Sequence, residues 1–353
     1  MSLLSAVSAA GVLLTGVPAQ NGLTAPLTQS LANRAAKSVV TLRIGEIPLG
    51  QAVVIGPAGE TLTIGEVAFG PDGLPRKGLE AILPNGDVAL ATVEAFDPIT
   101  DLAMVRIVGV DAGVLSPAKI ASGTSGGVVL AVLPGGPARA ELTRSDVTGV
   151  MAFSRRYVPL QEIRLERADA TLGGAPIFDA EGAVVGILMA SLSAETGSAN
   201  KSADRGANTA ANLAQAPRPL ATTFSLGTSV LGRVVDGFTL NGGRVRHPYI
   251  GIYFSQNEAG LTVIDRVIEG GPSAKAGLQA GDIVLSVGDH TVTSHVDLAG
   301  LLFKTRIGAV LEFKVFRAGV AFKQLVPVLA DPTSAAKADL KRLPIAQQRG
   351  REF

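Results

Sequence analysis

The chain has 353 residues, enough for two or three ordinary domains, and 47% of them are apolar against 17% charged. Its 31 basic and 30 acidic side chains leave a formal charge of +1, which argues against a dedicated nucleic-acid binder. Lacking cysteine, it can build neither disulfides nor thiolate sites, and its three histidines, His247, His290 and His295, all lie beyond residue 246.

Residues 3–14 (LLSAVSAAGVLL) are an apolar run too short to span a bilayer comfortably. Val17-Pro18-Ala19 follows with small residues at the spacing of a leader cleavage site, although no Lys or Arg precedes the run. Residues 1–29 therefore read as a secretory leader and N-terminal segment. No later stretch has the length and apolarity that predict a membrane span.

Short runs rich in Val, Ile, Leu and Thr come next: 38–44, 51–56, 61–67 and 102–108. Turn signals at 56–59, 71–73 and 84–87 separate them, the pattern of an antiparallel barrel or sandwich. The pattern recurs at 126–134, 145–153 and 182–190, which predicts two β units in tandem, about 30–112 and 113–240. Within the second, residues 191–220 are Ala, Ser, Asn and Gly without an aromatic, and read as a flexible loop. Leu226, Val230, Leu231 and Val234 recur at helical spacing and predict a helix over 224–238. A separate compact module spans 241–330. The basic tail, 331–353, reads as a frayed helix from 336 onward with no site in it.

Three segments carry a resemblance. Asp97-Pro98-Ile99-Thr100-Asp101-Leu102-Ala103 is similar to the D-P-x-x-D-[LI]-A motif of the HtrA/Deg family of trypsin-like proteases. Leu62-Thr63-Ile64-Gly65-Glu66-Val67 resembles that family's L-T-x-x-H-V, and Gly173-Gly174-Ala175-Pro176 stands where the family has S-G-G-P. With a PDZ-like module behind them, the resemblance covers roughly residues 30–330. It implies a mainly β chymotrypsin/trypsin-like double six-stranded barrel followed by an α+β PDZ domain. It also implies a bacterial periplasmic or secreted protein.

Aligned on Pro176, the family's catalytic histidine, aspartate and serine correspond to Glu66, Asp101 and Gly173. Glycine has no nucleophile, and a serine needs an adjacent base to act as one. Glu66 beside Asp101 sets two like charges together with no imidazole between them. The segment before Pro176 is also shorter than in the family, which disturbs the amides that would form an oxyanion hole. The expectation is therefore a pseudoprotease, not an enzyme, with no catalytic residue, no metal and no cofactor. Thr171, Ser154 and Ser191 read as ordinary turn or strand hydroxyls. Asp101 reads as a structural carboxylate.

Residues 244–328 resemble a bacterial PDZ domain, carrying Gly270-Gly271-Pro272 with Gly277-Leu278, Gly281-Asp282 and Arg317-Ala318-Gly319. The resemblance implies that Arg246, Tyr249, Ile250, Gly251 and Ile252 cradle the C-terminal carboxylate of a peptide, which adds a strand to the sheet edge. Ser294 followed by Asp297 fits a capping box and opens the opposite wall, a helix with His295, Ala299 and Leu302 on one face. The function expected is a scaffold, adaptor or chaperone that holds a protein or peptide C-terminus, in homo- or hetero-oligomeric form. An active peptidase with an unconventional site is the alternative, as is a regulatory subunit of an active family member. Nucleic acid is not among the expected partners.

Overall fold

Apolar side chains of the first β unit turn inward and close a barrel. The computed structural model describes residues 29–110, 113–123, 126–151, 154, 156–165, 173–189, 192–193, 221–335 and 340–342. A helix, α1 (Gln29–Ala36), comes first, with Leu31 and Ala35 one turn apart and both buried. Strands β1 (Val39–Ile44), β2 (Ile47–Val54), β3 (Glu60–Ile64), β4 (Glu80–Ile82), β5 (Val88–Asp97) and β6 (Leu102–Val108) follow. They close antiparallel in the order β1-β2-β3-β6-β5-β4. Leu42, Leu62, Ile64 and Leu102 are wholly buried within this first unit. The strand expected at 61–67 ends at Ile64, where the chain turns into the one-turn helix α2 (Gly65–Ala68).

The second unit contains β7 (Gly127–Leu133), β8 (Gly136–Met151), β9 (Tyr157–Leu165), β10 (Pro176–Phe178), β11 (Val184–Leu188), β12 (Leu192–Ser193) and β13 (Ala221–Gly227). The ring runs β8-β7-β10-β11-β13-β9, and β9 pairs back onto the 16-residue β8 to make the second six-stranded barrel. The short β12 hangs on β8. Turns expected at 56–59 and around 179–182 sit at matching places: Ile55 N–H donates to Glu60 O, and Asp179 N–H to Ala183 O.

Helix α3 (Thr228–Leu240) leads out of the second barrel. The helix expected at 224–238 starts later, because Phe224, Ser225 and Leu226 are paired in β13 with β9. Leu226 is buried as a strand residue, and its period with Val230 is a coincidence of the strand-helix junction.

The C-terminal module has β14 (Pro248–Tyr249), β15 (Ile252–Gln256), β16 (Thr262–Val267), α4 (Pro272–Lys275), β17 (Ile283–Val287), β18 (His290–Thr291), α5 (His295–Lys304), β19 (Val310–Arg317), β20 (Val320–Pro327) and β21 (Leu329–Ala330). Its sheet runs β15-β16-β17-β19-β20, so β15 is a terminal strand, while β14 pairs β21. Ile252, Ile264, Leu298, Phe313, Val315 and Val326 form its core with no exposed surface. Arg317 forks onto the buried Asp282 carboxylate and onto Gly277 O, which closes the module.

Candidate functional site

Asp101 sits in the turn between β5 and β6, fully buried, with a left-handed φ of 58°. Its carbonyl accepts a 2.6 Å bond from Gly65 N–H at the start of α2, which ties the two motif segments together. Its carboxylate faces the guanidinium of Arg342: Nε donates to Oδ1 at 2.7 Å and Nη2 to Oδ2 at 2.9 Å. Burial pushes the Asp101 carboxyl above its usual range. Arg342 pulls it down by less, and Glu66 adds like-charge repulsion. The two like charges expected here therefore have a cation among them, delivered by the tail in which the sequence showed no site.

Glu66 lies on α2 with its side chain in solvent, and its carbonyl accepts from Arg76. Gly173 is buried, and its carbonyl accepts from Gln51 N–H at 3.1 Å. Its neighbour Gly174 has φ +79°, and a side chain there would meet Gln51 O at 2.2 Å, so the pair lies flush against β2. Ser154 donates its hydroxyl to Ile99 O and is a structural clasp. Thr171 and Ser191 lie outside the described residues, as do the leader and nearly all of the 191–220 loop.

Asp97, the lead residue of the same motif, accepts from the N–H groups of Ile99 and Thr100 and from the Thr100 hydroxyl. It is buried, and both its oxygens stand 3.0 Å from Nε2 of His247. Burial disfavours its charge, yet the His247 ring, Thr100 and Ile99 outweigh that and hold the carboxyl below the usual range. His247 belongs to the loop that leads into β14, so the first barrel and the C-terminal module meet at a buried carboxylate–imidazole contact. Phe303 of α5 packs 5.5 Å from the His247 ring, under the Arg233 guanidinium of α3 at 5.2 Å. Arg233 also donates to Phe303 O at 2.8 Å.

The predicted groove residues divide into two sets. Tyr249, Ile250 and Leu302 come together, and with Pro248, Phe303 and Val328 they line an apolar pocket. Gly251, at φ +76°, turns the chain beside it; a side chain there would sit 3.0 Å from the Tyr249 hydroxyl. Among the described residues, the N–H groups of Ile250 and Gly251 donate to no backbone carbonyl. Arg246 is exposed. Ile252, by contrast, points wholly into the module core. His295 does not line an open wall: its Nε2 is 3.0 Å from the Tyr157 hydroxyl of β9. Ala299 is buried on the same helix. The outer face of α5 packs on the second barrel, a contact that apolar spacing within one helix cannot reveal. The Ser294 cap forms as expected, accepting from Asp297 N–H at 3.1 Å. Sequence reasoning missed Asp97, His247, Arg233 and Arg342. The D-P motif drew attention only to Asp101, and the other partners are joined by long-range contacts.

The fold and these sites define a trypsin-like double barrel with a PDZ domain docked on it. The chain matches the trypsin-like peptidase domain family over residues 50–187 and the PDZ domain family over 248–325. It is 27% identical over 258 residues to the serine protease Do-like HtrA of Lactococcus lactis subsp. cremoris, covering 69% of this chain and 62% of that protein. It is 27% identical over 293 residues to a probable periplasmic serine endoprotease, DegP-like, of Pseudomonas savastanoi pv. phaseolicola, covering 80% of this chain and 56% of the relative. The serine endoprotease DegS of Haemophilus influenzae is 23% identical over 94% of this chain and 96% of its own length. The solved HtrA-type protease AlgW with decapeptide superposes with a TM-score of 0.58 at 18% identity, over 86% of this chain and 98% of that one. The chain thus carries a trypsin-like peptidase domain followed by a PDZ domain, and in that order it is similar to the HtrA/Deg-type serine proteases. It spans about three fifths of the length of the first curated relatives it matches.

These relatives overturn the expectation that the chain is not an enzyme: each curated one is named a serine protease or endoprotease, which points to an enzyme. The expectation leaned on an alignment through a shortened segment ahead of Pro176, and residues 166–172 of that segment lie outside the described residues.

Proposed function

We propose that this chain captures the free C-terminus of a protein or peptide in its PDZ groove and presents the bound polypeptide to the docked double barrel. The observation that carries this reading is the conjunction at Ile250 and Gly251. Two adjacent backbone N–H groups that donate to no backbone carbonyl among the described residues lie next to an apolar pocket of Tyr249, Ile250, Leu302 and Phe303. Such a turn suits a carboxylate, the pocket suits one apolar terminal side chain, and the terminal strand β15 suits an added strand. The exposed Arg246, two residues before Pro248 of the pocket, carries charge of the right sign. The names of the relatives favour peptide-bond hydrolysis by the barrels as the fate of the captured chain, in the periplasm or outside the cell.

Isothermal titration of the full chain with free-acid and amidated forms of one apolar-ended peptide tests the groove. Amidation removes a charge-assisted set of hydrogen bonds and is expected to weaken binding roughly ten- to a hundredfold. Equal binding of the two forms overturns the assignment. The same samples, incubated with unfolded casein and a serine-directed fluorophosphonate, test hydrolysis. Cleavage and labelling of one hydroxyl are expected, and the labelled residue will not be residue 173, because glycine carries no hydroxyl. No cleavage above a buffer control sinks the hydrolytic reading and leaves the groove reading standing.

A further inference from the structure

We propose that Gly65 and Asp101 form a receptor for an arginine side chain, and that residues 340–342 of this chain are its ligand in cis. The Asp101 carboxylate is 1% exposed, and both its oxygens are taken by one guanidinium at 2.7 and 2.9 Å. That fork matches a carboxylate edge to edge, which the single point charge of a lysine cannot do. The space for it depends on Gly65. A Cβ there would fall 2.3 Å from Asp101 Oδ1 and 2.8 Å from Arg342 Nε, so any larger residue closes the pocket.

The ligand is held at three points within three residues. Leu340 packs against the core of the barrels, Arg342 N–H donates to Gly73 O at 2.8 Å, and the guanidinium fills the pocket. Arg342 itself is 14% exposed. The segment is thus a strap that follows the PDZ module in sequence and fastens on the first barrel. It lies 241 residues from its anchor in sequence. While the strap is seated, it covers the carboxylate of the D-P-x-x-D motif. Any substrate or partner group that is to pair with Asp101 must first displace it. This inference stands apart from the PDZ reading, since none of its residues lies in the groove.

Digestion of the full chain with a lysine-specific endoproteinase tests the strap, because Lys341 precedes the seated arginine. Cleavage after Lys341 is expected to be roughly tenfold or more faster in Arg342→Gln, with Arg342→Lys between the two, since lysine keeps charge without the fork. A labelled peptide of residues 336–346 tests the receptor in trans. It should bind the double variant Leu340→Ser/Arg342→Gln, whose own strap is loosened, and bind wild type far more weakly. The same peptide with glutamine in place of its arginine should not bind. Equal cleavage of wild type and Arg342→Gln overturns the proposal. So does equal binding of the arginine and glutamine peptides, or binding of an unrelated arginine peptide as tight as that of the tail.

Discussion

Asp97 is the point at which three segments of the chain meet. It fastens the turn that carries Asp101 through Ile99 and Thr100, and it holds His247 of the C-terminal module. A buried pair gains little over an apolar one, but removing one partner leaves an uncompensated group in the interior. Asp97→Asn weakens hydrogen bonds to a buried carboxylate and is therefore expected to cost about 1.5–3 kcal/mol near neutral pH by thermal or denaturant unfolding. The pH dependence has a definite sign. The folded-state carboxyl titrates below the ordinary value of 3.8, so its stabilisation is present above that value and is lost as pH falls through the folded value. The gap between wild type and Asp97→Asn should accordingly narrow in acid below about pH 4. Asp101, shifted upward by burial, contributes with the opposite sign, favouring the folded state at low pH, but it is present in both proteins and cancels. A gap that stays constant to low pH would show that the Asp97 carboxyl titrates alike in the folded and unfolded chain. Nothing local in D-P-I-T-D announces His247, which lies 150 residues away. The sequence makes Asp101 visible through its motif, while the pairing of Asp97 is a property of the assembled domains.

At the scale of elements, α5 has two buried faces rather than one. Leu298 and Leu302 enter the PDZ core. His295 meets Tyr157 edge-on, with ring centroids 5.6 Å apart, and Gly300 lies against Thr148. A helix whose polar residues include a histidine reads as half-solvated from its own sequence, so the second face was legible only as a groove wall. The strand pattern was more transparent, because Val, Ile and Thr runs punctuated by Gly and Pro leave few alternatives to short antiparallel strands. Gly300 provides the test. A Cβ at this position would stand 2.3 Å from Thr148 Oγ1, so Gly300→Val must push α5 off β8. Overpacking of this kind costs typically 1–3 kcal/mol. Amide exchange is expected to quicken in α5, β8 and β9 while the PDZ core strands keep their protection. Unchanged exchange at the α5 contact would show that Thr148 rotates away at no cost.

For the molecule as a whole, the decisive question is whether barrels and PDZ module unfold as one body. A typical boundary between domains is polar and permits relative motion. This one is different. Phe303 is a residue of the PDZ helix, yet it is buried within the core cluster of the barrels, as is Val245 on the connecting loop. Around the Phe303 ring stand Arg233 and His247, and His247 in turn contacts the buried Asp97, so apolar burial and polar contacts occupy one spot. Burial lowers the Arg233 pKa from its ordinary value, and Asp97 opposes that shift. Truncating a buried phenylalanine typically costs 3–5 kcal/mol. Here the loss falls on the joint between modules rather than on either core. Wild type is therefore expected to melt in a single calorimetric transition, and Phe303→Ala in two, with the barrels and the PDZ module separated. Because Phe303 also lines the groove pocket, the variant should bind an apolar-ended peptide more weakly as well. One transition in Phe303→Ala would mean that the contacts of Asp97, His247 and Arg233 alone couple the modules. Two transitions already in wild type would mean that the junction is too weak to pass a signal from groove to barrel.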